Sequence, residues 1–148
     1  MHVWVDADAC PGPIKEILFR AAERLGVETI LVANHWMSVP KSKYVRLMQV
    51  EAGFDVADDR IADSAAPGDL VITGDIPLAA RVIERKAVAL NPRGTLYDKE
   101  NIREHLSRRN FMEELRSTGT LTGGPSPLGK IHIQTFANAL DRYLARNA

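Results

Sequence analysis

The sequence predicts an α/β fold, a mainly parallel sheet with flanking helices, on three observations. Short apolar runs recur at residues 3–7, 27–33, 45–50, 69–73 and 87–90, each bounded by turn residues and too brief for a helix. Stretches with apolar residues at helical spacing stand between most of them. Alternation of the two is the pattern of strand–helix–strand units, whose crossovers make neighbouring strands parallel.

The chain has 148 residues, 45% hydrophobic and 26% charged, ordinary values for a globular domain with a sizeable core. One domain over 1–148 is expected. No apolar run approaches the ~20 residues that span a bilayer, and the N-terminus lacks a signal-peptide pattern. A cytoplasmic protein without a membrane partner is therefore expected. The single cysteine, Cys10, excludes an intrachain disulfide and a cysteine-rich zinc site. The 19 basic and 19 acidic residues cancel, which argues against strong non-specific binding to nucleic acid. Their distribution is uneven: residues 51–80 carry seven acidic groups and one basic, and residues 81–130 carry ten basic and six acidic. Such an order suits a metal-loaded centre beside a polyanion-binding rim, or simply ordinary surface helices.

Each element follows from its residues. Val3-Trp4-Val5 is an apolar run that stops at Asp6-Ala7-Asp8, and it reads as a buried strand ending in two carboxylates. From Pro13 to Leu25, Ile14, Ile17, Leu18, Ala21, Ala22 and Leu25 share one helical face, with Pro13 in the first turn and Gly26 as the stop. Val27–Ala33 is a second strand, residues 34–43 a loop, and Val45–Val50 a third strand turned by Gly53. Asp58–Ala66 is a short helix ended by Pro67-Gly68. Leu70-Val71-Ile72-Thr73 is a compact buried strand running into Gly74-Asp75. Pro77–Lys86 is helical through Leu78, Ala79, Val82 and Ile83, and Ala87–Leu90 is a last strand stopped by Asn91-Pro92-Arg93-Gly94. An arginine-bearing helix over Ile102–Arg116, a Gly/Pro-rich loop at 119–130 and a helix between Ile131 and Arg146 complete the chain. Both C-terminal helices are expected to pack on the same domain, and the loop is long enough to be functional or mobile.

The carboxyl ends of parallel strands are where ligands sit. Alternation along a strand puts Asp6 and Asp8 on the same side. Paired carboxylates repel and are costly to bury, and Mg²⁺ or Mn²⁺ relieves both problems. Asp75 ends another strand at the same edge, and Asp58 opens the intervening helix. Any one of these acids could be a helix cap; several converging from distant segments suit metal-assisted hydrolysis of a phosphate ester. Thr73 and Arg93, beside that edge, are expected to touch substrate. Lys41 and Lys43, near Trp36 and Tyr44, would contact a phosphate backbone or form a solvated loop. Cys10 lacks the following arginine of a cysteine phosphatase and reads as a packing residue. The four histidines show no ligand spacing.

The stretches Trp4-Val5-Asp6-Ala7-Asp8-Ala9-Cys10-Pro11, Ile14-Lys15-Glu16-Ile17-Leu18, Gly68-Asp69-Leu70-Val71-Ile72-Thr73-Gly74-Asp75-Ile76-Pro77-Leu78-Ala79, Asn91-Pro92-Arg93-Gly94 and Thr122-Gly123-Gly124-Pro125 together resemble the uncharacterised bacterial YaiI/YqxD family. That family is in turn similar to PIN-type nuclease domains, which carry acids at the end of the first strand, on a middle helix, and in a Thr-x-Asp after a later strand. The resemblance implies a PIN-like fold with Asp6, Asp58 and Asp75 in those positions and Asp8 as an additional carboxylate. It implies a Mg²⁺- or Mn²⁺-dependent nuclease, with RNA the favoured substrate. Two alternatives stand beside it. Strand–Asp-x-Asp also opens phosphatases of the haloacid dehalogenase type, with Asp6 as nucleophile and Asp8 as general acid/base. A non-catalytic RNA-binding or adaptor module is the other. Oligomeric state has no signature in the sequence.

Overall fold

The computed structural model describes residues 1–120 and 126–147. Its six strands are β1 (His2–Asp6), β2 (Glu28–Ala33), β3 (Val45–Gln49), β4 (Leu70–Ile72), β5 (Val88–Leu90) and β6 (Leu96–Tyr97). They form one sheet in the order β3-β2-β1-β4-β5-β6. Neighbours are parallel except β6, which runs antiparallel to β5. Five helices accompany them: α1 (Gly12–Leu25), α2 (Val56–Ser64), α3 (Ile76–Glu84), α4 (Ile102–Ser117) and α5 (Lys130–Asn147). The α/β class and the five strands expected from sequence are present. The short antiparallel β6 is an addition.

The centre of the sheet is covered on both faces, which is why β4, β5 and the middles of β1 and β2 are continuous apolar runs. Val3, Val5, Leu31, Leu70, Ile72 and Leu90 pack beneath α1 and α5. Trp4, Ile30, Val32, Val71 and Ala89 pack beneath α2 and α3, with Ile102 of α4 at the margin. The C-terminal helix thus belongs to the sheet's own core: Phe136, Leu140 and Leu144 are buried. By contrast α4 buries only Ile102 and is polar around most of its circumference.

Helix ends follow local chemistry. α1 starts over Pro11-Gly12-Pro13 and stops at Gly26, whose φ of 65° fits the left-handed position of a C-terminal cap. Gly94 has a more demanding role. Its φ is 101°, and a Cβ there would lie 2.5 Å from Thr135 Cγ2 and 2.9 Å from the Phe136 nitrogen. Only glycine lets the turn after β5 rest on the backbone of α5.

Strand order fixes where a site can form. The chain leaves β1 for β2 and β3 on one side, then returns to β4 on the other side of β1. The carboxyl ends of β1 and β4 therefore flank the topological switch point, the customary ligand crevice of an open α/β sheet. No described helix is long and apolar enough to cross a membrane. Residues 121–125, the centre of the Gly/Pro-rich loop with its Thr122-Gly123-Gly124-Pro125 motif, lie outside the described residues.

Candidate active site

Asp6 is the last residue of β1. Trp4 faces α2 and α3, and alternation turns Asp6 to the same face. Asp6 Oδ2 accepts a hydrogen bond from Thr73 Oγ1 at 3.0 Å, and that hydroxyl accepts one from the Asp75 backbone N–H at 3.0 Å. One hydroxyl thus ties the ends of β1 and β4 together. Asp75 caps α3, its Oδ1 accepting from Leu78 N–H at 3.0 Å. Asp58 stands in the first turn of α2.

These acids load one another with charge. Burial raises the Asp6 carboxyl above its ordinary range; the Thr73 hydroxyl opposes this, and the charges of Asp75 and Asp8 add to it. Burial, reinforced by Asp6 and Asp75, pushes Asp58 up to about 7, and a hydrogen bond shared with Asp75 adds to the rise. Asp6, Asp58 and Asp75 are therefore a coupled acidic group drawn from three separate segments. Among the described residues, no three His, Cys, Asp or Glu side chains stand ready to enclose a metal ion. Oxygen donors still fit a hard cation chemically, because Mg²⁺ keeps several waters and takes only one or two carboxylates from the protein.

Two depressions meet at Asp75. A cleft of about 520 Å³ holds Asp6 and Asp75 at one wall and Asn91 and Arg93 at the other. A smaller depression of about 290 Å³ is bordered by Phe54, Asp58, Asp75, Arg81 and Arg109.

Other residues expected at the site sit differently. Asp8 does not share a face with Asp6, because β1 ends at Asp6 and Ala7–Ala9 is a single 3-10 turn. Its Oδ2 accepts from Asn34 N–H at 2.7 Å, and its Oδ1 lies 3.3 Å from His35 Nε2. Thr73 is 1% exposed, so it positions Asp6 and Asp75 and does not reach substrate. Lys41 and Lys43 are not at the cleft. The loop carrying them crosses from the carboxyl end of β2 to the amino end of β3, and Lys43 lies over the Tyr44 ring at 5.1 Å. Cys10 is buried, and burial pushes its thiol up to about 12; it packs and does not attack.

Residues 4–146 match the family model described as "Uncharacterized BCR, YaiI/YqxD family". The chain belongs to that family. It is 60% identical to a UPF0178 protein of Dechloromonas aromatica over 146 residues, covering 99% of this chain and 97% of the relative. A UPF0178 protein of Halorhodospira halophila is 63% identical over 146 residues, with the same coverage. One from Pseudoalteromonas translucida is 62% identical over 148 residues, covering 99% and 98%. No solved structure matches the chain.

In this YaiI/YqxD chain the basic wall of the cleft holds a residue that spacing alone does not reveal. Arg93 donates to the Ser126 carbonyl and places its other guanidinium nitrogen 3.3 Å from His132 Nε2. His132 Nδ1 accepts from Gly129 N–H at 2.9 Å, which assigns the proton of the neutral ring to Nε2. Arg93, the cation of the cleft lining, is thus anchored to the segment that leads into α5. Nothing near His132 in the sequence signals this, because its partner lies across the fold.

Proposed function

We propose that this YaiI/YqxD protein is a metal-dependent phosphodiester hydrolase, acting on nucleic acid, RNA in preference, in the cytoplasm. The observation that carries it is the group of Asp6, Asp58 and Asp75 at the switch point of the sheet: Asp6 and Asp75 line one cleft with Arg93, and Asp58 lines the depression that adjoins it at Asp75. Capping accounts for one oxygen of Asp75 and for none of Asp6 or Asp58. The same three positions carry the likeness to PIN-type nuclease domains.

Asp6 and Asp75 would hold Mg²⁺ or Mn²⁺, which when bound supplies electrophilic activation of the phosphate. Asp58, in the first turn of α2 and bordering the same depression as Asp75, would orient the attacking water and accept its proton. A new P–O bond forms from that water, the P–O bond to the leaving oxygen breaks, and the leaving oxygen takes up the proton by way of solvent. Arg93 holds the remaining phosphate oxygens, and His132 keeps Arg93 in place. Thr73 keeps Asp6 and Asp75 in register. A haloacid-dehalogenase-type phosphatase would need Asp8 free beside Asp6 as its acid, and Asp8 is engaged with Asn34 and His35.

The test is incubation of purified protein with single-stranded RNA and DNA oligonucleotides in Mn²⁺, beside Asp6→Asn and Asp75→Asn. Cleavage by wild type that drops roughly a hundredfold or more in both variants is expected. Equal cleavage by all three proteins would signal a contaminant and overturn the assignment. Calorimetric Mn²⁺ binding without cleavage of any strand would leave a binding module in its place.

A further inference from the structure

Phe54 is the most exposed of the large apolar side chains, at 94%. It precedes α2, next to Asp55, a non-glycine residue held at φ 61° as the helix N-cap. A side chain kept in water at the entrance to a helix contributes nothing to the core. Its neighbours are the informative part. Phe54 borders the smaller depression together with Asp58, Asp75, Arg81 and Arg109.

The two arginines are held differently. Arg81 is paired with Asp59 at 2.9 Å, and Arg109 with Glu113 at 3.0 Å, one helical turn away. Both pairs are surface pairs, which contribute little and yield readily to a competing anion. The depression therefore offers an aromatic face, a cationic rim and, through Asp75, direct continuity with the cleft that holds Asp6 and Arg93.

We infer that Phe54 is a stacking platform for an unpaired base, and Arg109 the contact for the phosphate beside it, so that the substrate is a single strand running from the Arg93 cleft over Asp75 to Phe54. This rests on the phosphodiesterase reading of the same site. The chemistry selects single strands because a base inside a duplex has both faces covered, whereas an unpaired base offers one to an aromatic ring. Stacking is tolerant of base identity, so no sequence preference follows. The sugar is not discriminated by these groups, and RNA and DNA strands are separate arms of the test.

The experiment measures fluorescence anisotropy of labelled strands of about ten nucleotides, RNA and DNA, with the metal-free full-length protein. Each strand is compared with an abasic strand of equal length and with a blunt duplex. Wild type should bind the base-bearing strand about tenfold more tightly than the abasic one. Phe54→Ala should bind both alike, and Phe54→Trp should restore the preference. Arg109→Ala should weaken both strands and flatten the salt dependence of binding. Equal discrimination by wild type and Phe54→Ala, or preference for the duplex, would overturn the inference. The assignment beneath it fails separately: if the hydrolase is wrong, wild type shows no Asp6-dependent cleavage of any strand in Mn²⁺, whatever its preference for base-bearing over abasic strands.

Discussion

Asp69 enters β4 at the amino edge of the sheet, and Asp6 leaves the adjoining β1 at the carboxyl edge. Both are withdrawn from solvent, yet their surroundings differ. Asp69, 3% exposed, accepts hydrogen bonds from His2 N–H at 2.9 Å, Trp4 Nε1–H at 3.1 Å and Ala66 N–H at 2.9 Å. Three donors make it a clamp between the starts of β1 and β4. Asp6 receives one hydroxyl donor among the described residues and sits among other carboxylates. A buried charge used for architecture is surrounded by donors, whereas Asp6, half-buried beside like charges, is left open to the cleft.

Removing either carboxylate tests the contrast. Asp69→Ala strands three N–H groups in the interior, and urea unfolding should show a loss of about 3 kcal/mol or more with an unchanged slope. A loss near zero would mean the clamp is not structural. Asp6→Asn should move in the opposite direction in the metal-free protein, a gain of about 1 kcal/mol as like-charge repulsion is relieved. Destabilisation there as large as that of Asp69→Ala would erase the distinction between the two ends.

The smallest effect is one of pH. Asp58 has its folded carboxyl raised to about 7, so between the ordinary carboxylate value and 7 the folded chain binds more protons than the unfolded one. Its contribution is therefore fully present only below the ordinary carboxylate value of 3.8, declines as pH rises above that, and is gone once pH has passed about 7. Melting temperatures of metal-free wild type should fall from about pH 4 to about pH 7 relative to Asp58→Asn, and the two curves should run parallel above that. Curves parallel over the whole range would place the charge elsewhere.

Much of this was legible in the residues, for identifiable reasons. Strands buried on both faces announce themselves as apolar runs, as β1, β2, β4 and β5 do, and β3 is legible from Val45, Leu47 and Met48 between polar residues; β6, two residues long, has no period to detect. Asp6 and Asp75 stood out because each interrupts an apolar run with a charge. Asp8 was misplaced because alternation was carried past Asp6, where the backbone has already turned. The loop with Lys41 and Lys43 reads as one cationic patch, but it traverses the sheet from edge to edge, which composition does not reveal. Thr73 was assigned to substrate when its hydroxyl is the buried tie between two acids. Phe54 and His132 gave no signal, because each acquires meaning only from neighbours brought in by folding.

The contact of Gly94 with the backbone of α5 has a consequence for the order in which the molecule becomes competent. A ribosome delivers Asp6, Asp58 and Asp75 well before Thr135 and Phe136, against which the Gly94 turn rests. Until α5 has emerged, Arg93 has neither that support nor the company of His132, and the apolar strand face destined for α5 is open. The nascent chain therefore carries its acids without their basic counterpart.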